Sequence, residues 1–195
     1  MKLDKKTEVK IKKEALKFLK RGKPNWDVPH TLCAVKWMKL LIAHEGGDER
    51  TLIPAIYFHD TGYPTLQKNY NFDQLMSVKR SRANNHAKIA AKIVKEIFPK
   101  YHFTKKEINR IAYLVGNHNI HDNIIETDRQ LVFEADGLAI IDVKAVKPNF
   151  DKKNYLRFLK EYYQERKKYM KTKTGKKYLK DLMKEVKKYL KNWQE

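Results

Sequence analysis

Six side chains stand out for the chemistry they can do: His30, the adjacent pair His59 and Asp60, His86, His118 and Asp136. Imidazole nitrogens and carboxylate oxygens together suit divalent ions, which take about four protein groups or fewer when positions stay open for water and substrate. The intervals between successive candidates are 29, 26, 32 and 18 residues. Each is close to one helix plus a loop, so successive helices of a bundle can each deliver a ligand to a common centre. His59-Asp60 has the most telling setting. It ends the apolar run 52–58 and is followed at once by Thr61, Gly62 and Tyr63. An imidazole and a carboxylate placed there project from a rigid core, and the glycine lets the backbone turn away without covering a metal. A second pair, His121-Asp122, has three readings: structural, a proton donor near a leaving group, or a replacement for His118 as ligand. Lys79, Arg80 and Arg82 precede His86 and offer donors for phosphate oxygens, the arginines bidentately. His44 and His102 read as surface or structural histidines.

The elements that must position these groups are helical. Residues 3–20 carry an apolar stripe of Ile11, Ala15, Phe18 and Leu19 closed by Gly22. Asp27 is expected to cap a helix to about Glu45, with Pro29 in its first turn. Gly46-Gly47-Asp48 ends that helix and opens a short one over 49–59. Gly62 and Pro64 mark 61–71 as a loop. A helical stretch is expected from Asp73 to Phe98, with a break near Ser81, stopped by Pro99. Thr104-Lys105-Lys106-Glu107 is a capping box opening a helix to Gly116. Residues 117–123 read as a polar loop, 127–142 as a helix, and Pro148 as a boundary. Apolar residues at 179, 182, 183, 186, 190 and 193 form a helical stripe backed by lysines. Strand-like alternation is scarce, so the expected architecture is all-α, a single-domain bundle of about eight helices. Residues 1–25 would form a basic helix packed on it, 26–147 the catalytic core, and 148–195 the lysine-rich helices completing the same domain.

A chain of 195 residues with 42% hydrophobic content suits one domain with a real core. No apolar run approaches the roughly 20 residues of a membrane span. The start of the chain lacks a signal-peptide core, and the single cysteine, Cys33, rules out an internal disulfide framework, so a reducing, cytoplasmic setting is expected. Cys33 lies among apolar neighbours and reads as packing. The net charge of +20 sits at the two ends: residues 1–23 carry +7 and 152–195 carry +11, whereas 24–151 carry +2 and hold all seven histidines. Lysine-rich ends of this kind admit nucleic acid as a further partner.

The order His…His-Asp…Asp resembles the HD-domain superfamily of metal-dependent phosphohydrolases, which is all-helical. His30 in Val-Pro-His-Thr-Leu matches its first histidine, His59-Asp60 its signature pair, and Asp136 in Glu-Ala-Asp-Gly-Leu-Ala its final aspartate. The resemblance covers about residues 26–145. His86, in Asn-His-Ala, and His118, in Gly-Asn-His-Asn, resemble the intermediate histidines of the dinuclear subset. That resemblance implies Asp60 bridging two metals, with His30, His59 and Asp136 on one and His86 and His118 on the other. It also implies hydrolysis of a nucleotide or phosphodiester by metal-activated water. The carboxylates of Asp60 and Asp136 can then orient that water or accept its proton, with His121 as the candidate proton donor and Lys79, Arg80 and Arg82 the candidate contacts to the substrate phosphate. Many phosphodiesterase relatives carry a lysine shortly after the His-Asp pair. This chain has Tyr63-Pro64 there, which sets it apart from the cyclic-dinucleotide enzymes.

The donor set accommodates one or two ions of iron, manganese, nickel, cobalt or zinc, with magnesium also admissible. Two other readings compete. One keeps the fold as a basic nucleic-acid- or nucleotide-binding module without catalysis. The other makes the stripe over 179–193 a docking face for a partner protein, although packing it onto the chain's own core avoids an exposed apolar surface.

Overall fold

Short polar side chains open most of the helices. Asp4, Asp48, Thr104, Asp151 and Thr172 each accept a backbone N–H of the turn they precede, at 2.8–3.2 Å. In the computed structural model, which describes residues 1–23, 25–63, 73 and 85–193, the resulting elements are α1 (Lys5–Leu19), α2 (Asp27–Glu45), α3 (Glu49–Phe58), α4 (Asn85–Ile97), a 3₁₀ turn (Phe98–Tyr101), α5 (Lys105–Gly116), α6 (Thr127–Ile141), α7 (Lys152–Tyr169) and α8 (Lys173–Lys191). Among the described residues there are eight α-helices and no strand. The fold is all-α. Lys79, Arg80, Arg82 and most of the expected 61–71 loop lie outside the described residues, and α4 is the described part of the helical stretch expected from Asp73.

The capping box at Thr104 forms as its sequence dictates, with both reciprocal bonds present. Asp27 does not cap α2. The residue before the helix is Trp26, which makes no side-chain capping bond. The Asp27 carboxylate instead reaches back to accept from the Lys23 amide at 2.6 Å, closing the preceding turn. The sequence signal was right about a carboxylate at the helix start, but Asp27 is the first residue of the helix rather than its cap, and the amide it satisfies lies four residues before it.

The helix α6 is central. It is buried continuously from Gln130 to Ala139, and it packs against α2, α3, α5 and α8. The short α3 is buried from Thr51 to Phe58 and packs on α1, α2, α4, α5 and α6. One hydrophobic cluster runs from Leu3 to Val186, and Leu179, Leu182 and Val186 of α8 belong to it. The apolar stripe of the last helix therefore covers this chain's own core. Glu134, fully buried on α6, accepts from the Lys171 and Thr172 amides at 2.8 and 3.0 Å and from the Thr172 hydroxyl. That single carboxylate ties the start of α8 to the middle of the core.

Candidate metal centre

The helix ends explain how two of the histidines are aimed. Carbonyls in the last turn of a helix lack an intrahelical donor. His59, just past α3, and His118, just past α5, each direct Nδ1 at the carbonyl three residues back, Ile56 at 2.8 Å and Val115 at 2.7 Å. A carbonyl only accepts, so Nδ1 carries the proton in both rings and Nε2 points onward. His30 and His86 come from the first turns of α2 and α4, and Asp136 from the middle of α6. His30 lies parallel to Trp26, with ring centroids 5.8 Å apart, and His86 stacks on Tyr63 at 3.9 Å.

All six candidates are buried, and they converge. The Nε2 atoms of His30 and His59 are 3.2 Å apart, and those of His86 and His118 are 3.4 Å apart. Between the two pairs lies Asp60, whose oxygens divide. Oδ2 is 3.5 Å from His30 and 3.2 Å from His59, whereas Oδ1 is 3.4 Å from His118 and 3.9 Å from His86. Asp136 turns Oδ1 to the first pair, 3.2 Å from His30 and 3.6 Å from His59.

Two donors about 2.1 Å from a common ion and about 90–110° apart stand about 3.0–3.4 Å from each other. Most of the observed separations fall in or near that range. Without a cation, buried nitrogen lone pairs and carboxylates facing one another at such distances would be an unfavourable arrangement. The residues present therefore fit divalent metal, as two groups sharing Asp60: His30, His59 and Asp60, with Asp136 beside them, and Asp60, His86 and His118.

The metal-free electrostatics agree. Burial opposes the charge on Asp60 and on Asp136, yet the surrounding histidines hold both carboxyls well below their ordinary value. Burial likewise opposes charging His59, but Asp60 and Asp136 outweigh it and hold the imidazole well above its ordinary value. Burial, reinforced by Asp60, pushes Asp27 up to about 6 despite the bond from the Lys23 amide. The cluster favours positive charge at its centre.

Gly62 differs from its sequence reading. Among the described glycines only Gly46 and Gly47 have positive φ, so no unusual backbone turn requires glycine here. The requirement is closeness: a Cβ on Gly62 would stand 2.0 Å from the His86 carbonyl oxygen and 3.0 Å from the Ala90 nitrogen. The chain after the His-Asp pair lies directly against the backbone of α4.

His121 pairs with Glu165 of α7, and its Nδ1 is buried without a partner. Neither His121 nor Asp122 is among the groups converging on Asp60; Asp122 accepts from the Tyr169 hydroxyl at 3.2 Å. Two neighbours of the cluster escaped the sequence reading. Asn119 places its side-chain amide 2.7 Å from Nε2 of His86. Arg166 of α7 places Nη2 3.1 Å from Oδ2 of Asp136. His44 and His102 are exposed, as expected of surface histidines.

A model of the HD domain matches residues 28–141 of this chain. The chain belongs to the HD-domain family. Its relatives in that family are metal-dependent hydrolases, and the buried His/Asp groups are of the type that holds their divalent ions. No curated protein matches the chain significantly. Among solved structures, a protein from an uncultured Thermotogales bacterium, described as a predicted HD superfamily hydrolase, is similar in fold. It is 16% identical, with a TM-score of 0.62 over 96% of this chain and 89% of that one. The HD-domain match stops at residue 141, so α7 and α8 lie beyond it. No described helix is long and apolar enough to cross a membrane.

Proposed function

We propose that this HD-domain protein is a dinuclear metal-dependent phosphohydrolase acting on a nucleotide or phosphodiester. The observation that carries the reading is the division of the Asp60 oxygens between two buried histidine pairs. A single carboxylate facing two donor pairs is what a bridged pair of ions needs. His30, His59 and Asp136 would hold one ion, His86 and His118 the other, and Asp60 both.

A divalent ion bound there lowers the pKa of water toward neutrality and polarises a phosphoryl oxygen. The rest falls to the chain. Asp60 and Asp136, kept ionised by their surroundings, would orient the attacking water or accept its proton. His59 and His118 stay fixed in one tautomer by their carbonyl partners. His121, with Glu165 behind it, is the candidate proton donor to the leaving group. Lys79, Arg80 and Arg82 are the candidate phosphate contacts. The excess positive charge at both ends of the sequence raises the local concentration of phosphorylated substrates.

The test is metal content by elemental analysis of the wild type and Asp60→Ala, purified without chelator. It is followed by a screen of nucleotides, dinucleoside polyphosphates and phosphodiesters for hydrolysis. Two equivalents in the wild type, lost together with activity in Asp60→Ala, are expected. One equivalent would reduce the site to a mononuclear one. Absence of metal after reconstitution with manganese, iron or nickel would overturn the reading.

A further inference from the structure

The segment that the family match leaves out reaches into the metal centre. Arg166 is buried and grips the turn of α6 that carries Asp136. Its Nη1 donates to the Phe133 carbonyl at 2.8 Å, and its Nη2 lies 3.1 Å from Oδ2 of Asp136. The guanidinium lies over the rings of Phe133 and Tyr162, 4.1 and 4.9 Å from their centroids. Gly137 makes the room: a Cβ there would stand 3.1–3.3 Å from three atoms of the arginine side chain. One turn earlier on α7, the Tyr162 hydroxyl donates to the Gly137 carbonyl at 2.6 Å. So α7 holds this turn of α6 at two points, and only one of them touches a candidate ligand.

The consequence for Asp136 is that its oxygens cease to be equivalent. A carboxylate swings readily about its last torsion and can offer either oxygen, or both, to a cation. With Oδ2 tied to Arg166, Oδ1 is the oxygen left facing His30 and His59. The guanidinium also draws charge from the carboxylate, which works against cation affinity. Orientation is the stronger effect at comparable centres, where removing an outer partner of a ligand typically weakens metal binding 10–100-fold. Removing Arg166 alone strips the buried Asp136 carboxylate of its cation and destabilises the metal-free fold, so metal affinity and thermal midpoint are read separately.

We propose that Arg166, from outside the matched domain, is a positioning residue for Asp136 and thereby sets the affinity of the first metal subsite. The inference rests on the dinuclear reading above. It is tested by titrating Mn²⁺ into metal-stripped full-length wild type, Arg166→Met, Arg166→Lys and Tyr162→Phe, with thermal midpoints of the stripped proteins measured alongside. Arg166→Met, which keeps the stacking on Phe133, should bind Mn²⁺ about 10–100-fold more weakly at the tighter site. Arg166→Lys should recover part of that loss, because an ammonium reaches the carboxylate but does not fork to the Phe133 carbonyl as well. Tyr162→Phe should lower the midpoint and leave Mn²⁺ affinity unchanged.

Wild-type affinity in a folded Arg166→Met overturns the proposal. So does an equal loss of affinity in Tyr162→Phe, which would make the effect one of helix docking. Should Arg166→Met fail to fold, Arg166→Lys decides: unchanged affinity there refutes the role. A wild type that binds no Mn²⁺ fails the dinuclear reading itself, which is a different outcome.

Discussion

Replacing Gly62 with alanine adds a single methyl group, and the structure says where it goes. The new Cβ would stand 2.0 Å from the His86 carbonyl oxygen, 2.8 Å from its carbon and 3.0 Å from the Ala90 nitrogen, whereas ordinary contact begins at 3.4 Å. These are backbone atoms of one helix, so no side chain can rotate to make room. Either α4 recedes or the 59–62 segment does, and the separation between them grows by at least about 1 Å. His86 Nε2 already lies 3.9 Å from Asp60 Oδ1. Two donors on one ion are at most about 4.2 Å apart, twice a bond of about 2.1 Å. A further 1 Å therefore takes His86 and Asp60 out of reach of a common ion, whereas His30 and Asp136 are carried by helices the clash does not touch and His59 is held to α3 by the Ile56 carbonyl. Gly62→Ala should retain one metal equivalent of two and should unfold about 1–3 kcal/mol more easily, the usual range for overpacking. Elemental analysis and urea unfolding of the stripped protein read the two effects separately. Two equivalents and an unchanged unfolding midpoint in Gly62→Ala would refute the close-approach reasoning.

Three further outcomes follow from the geometry. Glu134→Ala leaves the Lys171 and Thr172 amides without their buried acceptor and should destabilise the protein by about 2–4 kcal/mol in urea unfolding; a loss below about 1 kcal/mol would mean that α8 does not depend on that anchor. Glu107 is held at about 2 by Arg50, and further by the Thr104 cap, against an ordinary value of 4.5. Because its folded value is depressed, its contribution is complete above 4.5 and is lost as the pH falls toward 2. Between pH 6 and 3, Glu107→Gln should lose less stability than wild type, by about 1 kcal/mol, given that the pair is partly solvated; parallel pH profiles would contradict this. Cys33 is 4% exposed and its thiol is pushed up to about 12 by burial beside Asp142. A thiol reagent at pH 8 should label it only after unfolding, and rapid labelling of the native protein would contradict its burial.

The fold was legible because its signals are local. The Thr104 box, Asp48 after two glycines, and the lysine-backed stripe of the last helix each speak within one or two turns, and each forms as its residues dictate. The converging histidines and aspartates were legible for a related reason, since ligands delivered one per helix recur at the length of a helix and its loop. What stayed hidden is what the chain brings together from far apart. Arg166 is thirty residues from Asp136 and stands among lysines on a helix that looks like solvated surface. Asn119 is a loop amide of no distinctive type, yet it lies 2.7 Å from His86. Gly62 was singled out, but for its freedom to turn, whereas its missing side chain is what lets α4 approach.

These hidden contacts fall unevenly on the two halves of the cluster. In the first half, the free oxygen of Asp136 is aimed by a buried arginine from behind, and His59 is locked by the carbonyl at the end of α3. In the second, His118 is locked in the same way, but the Nε2 of His86 is already engaged by the Asn119 amide, and an ion there must displace that contact. One subsite is thus closer to its bound arrangement than the other before any metal arrives. Pre-organisation of this kind lowers the work of binding at the prepared site. The His30, His59 and Asp136 side should accordingly fill first, at the lower metal concentration, with the His86 and His118 side following as Asn119 gives way.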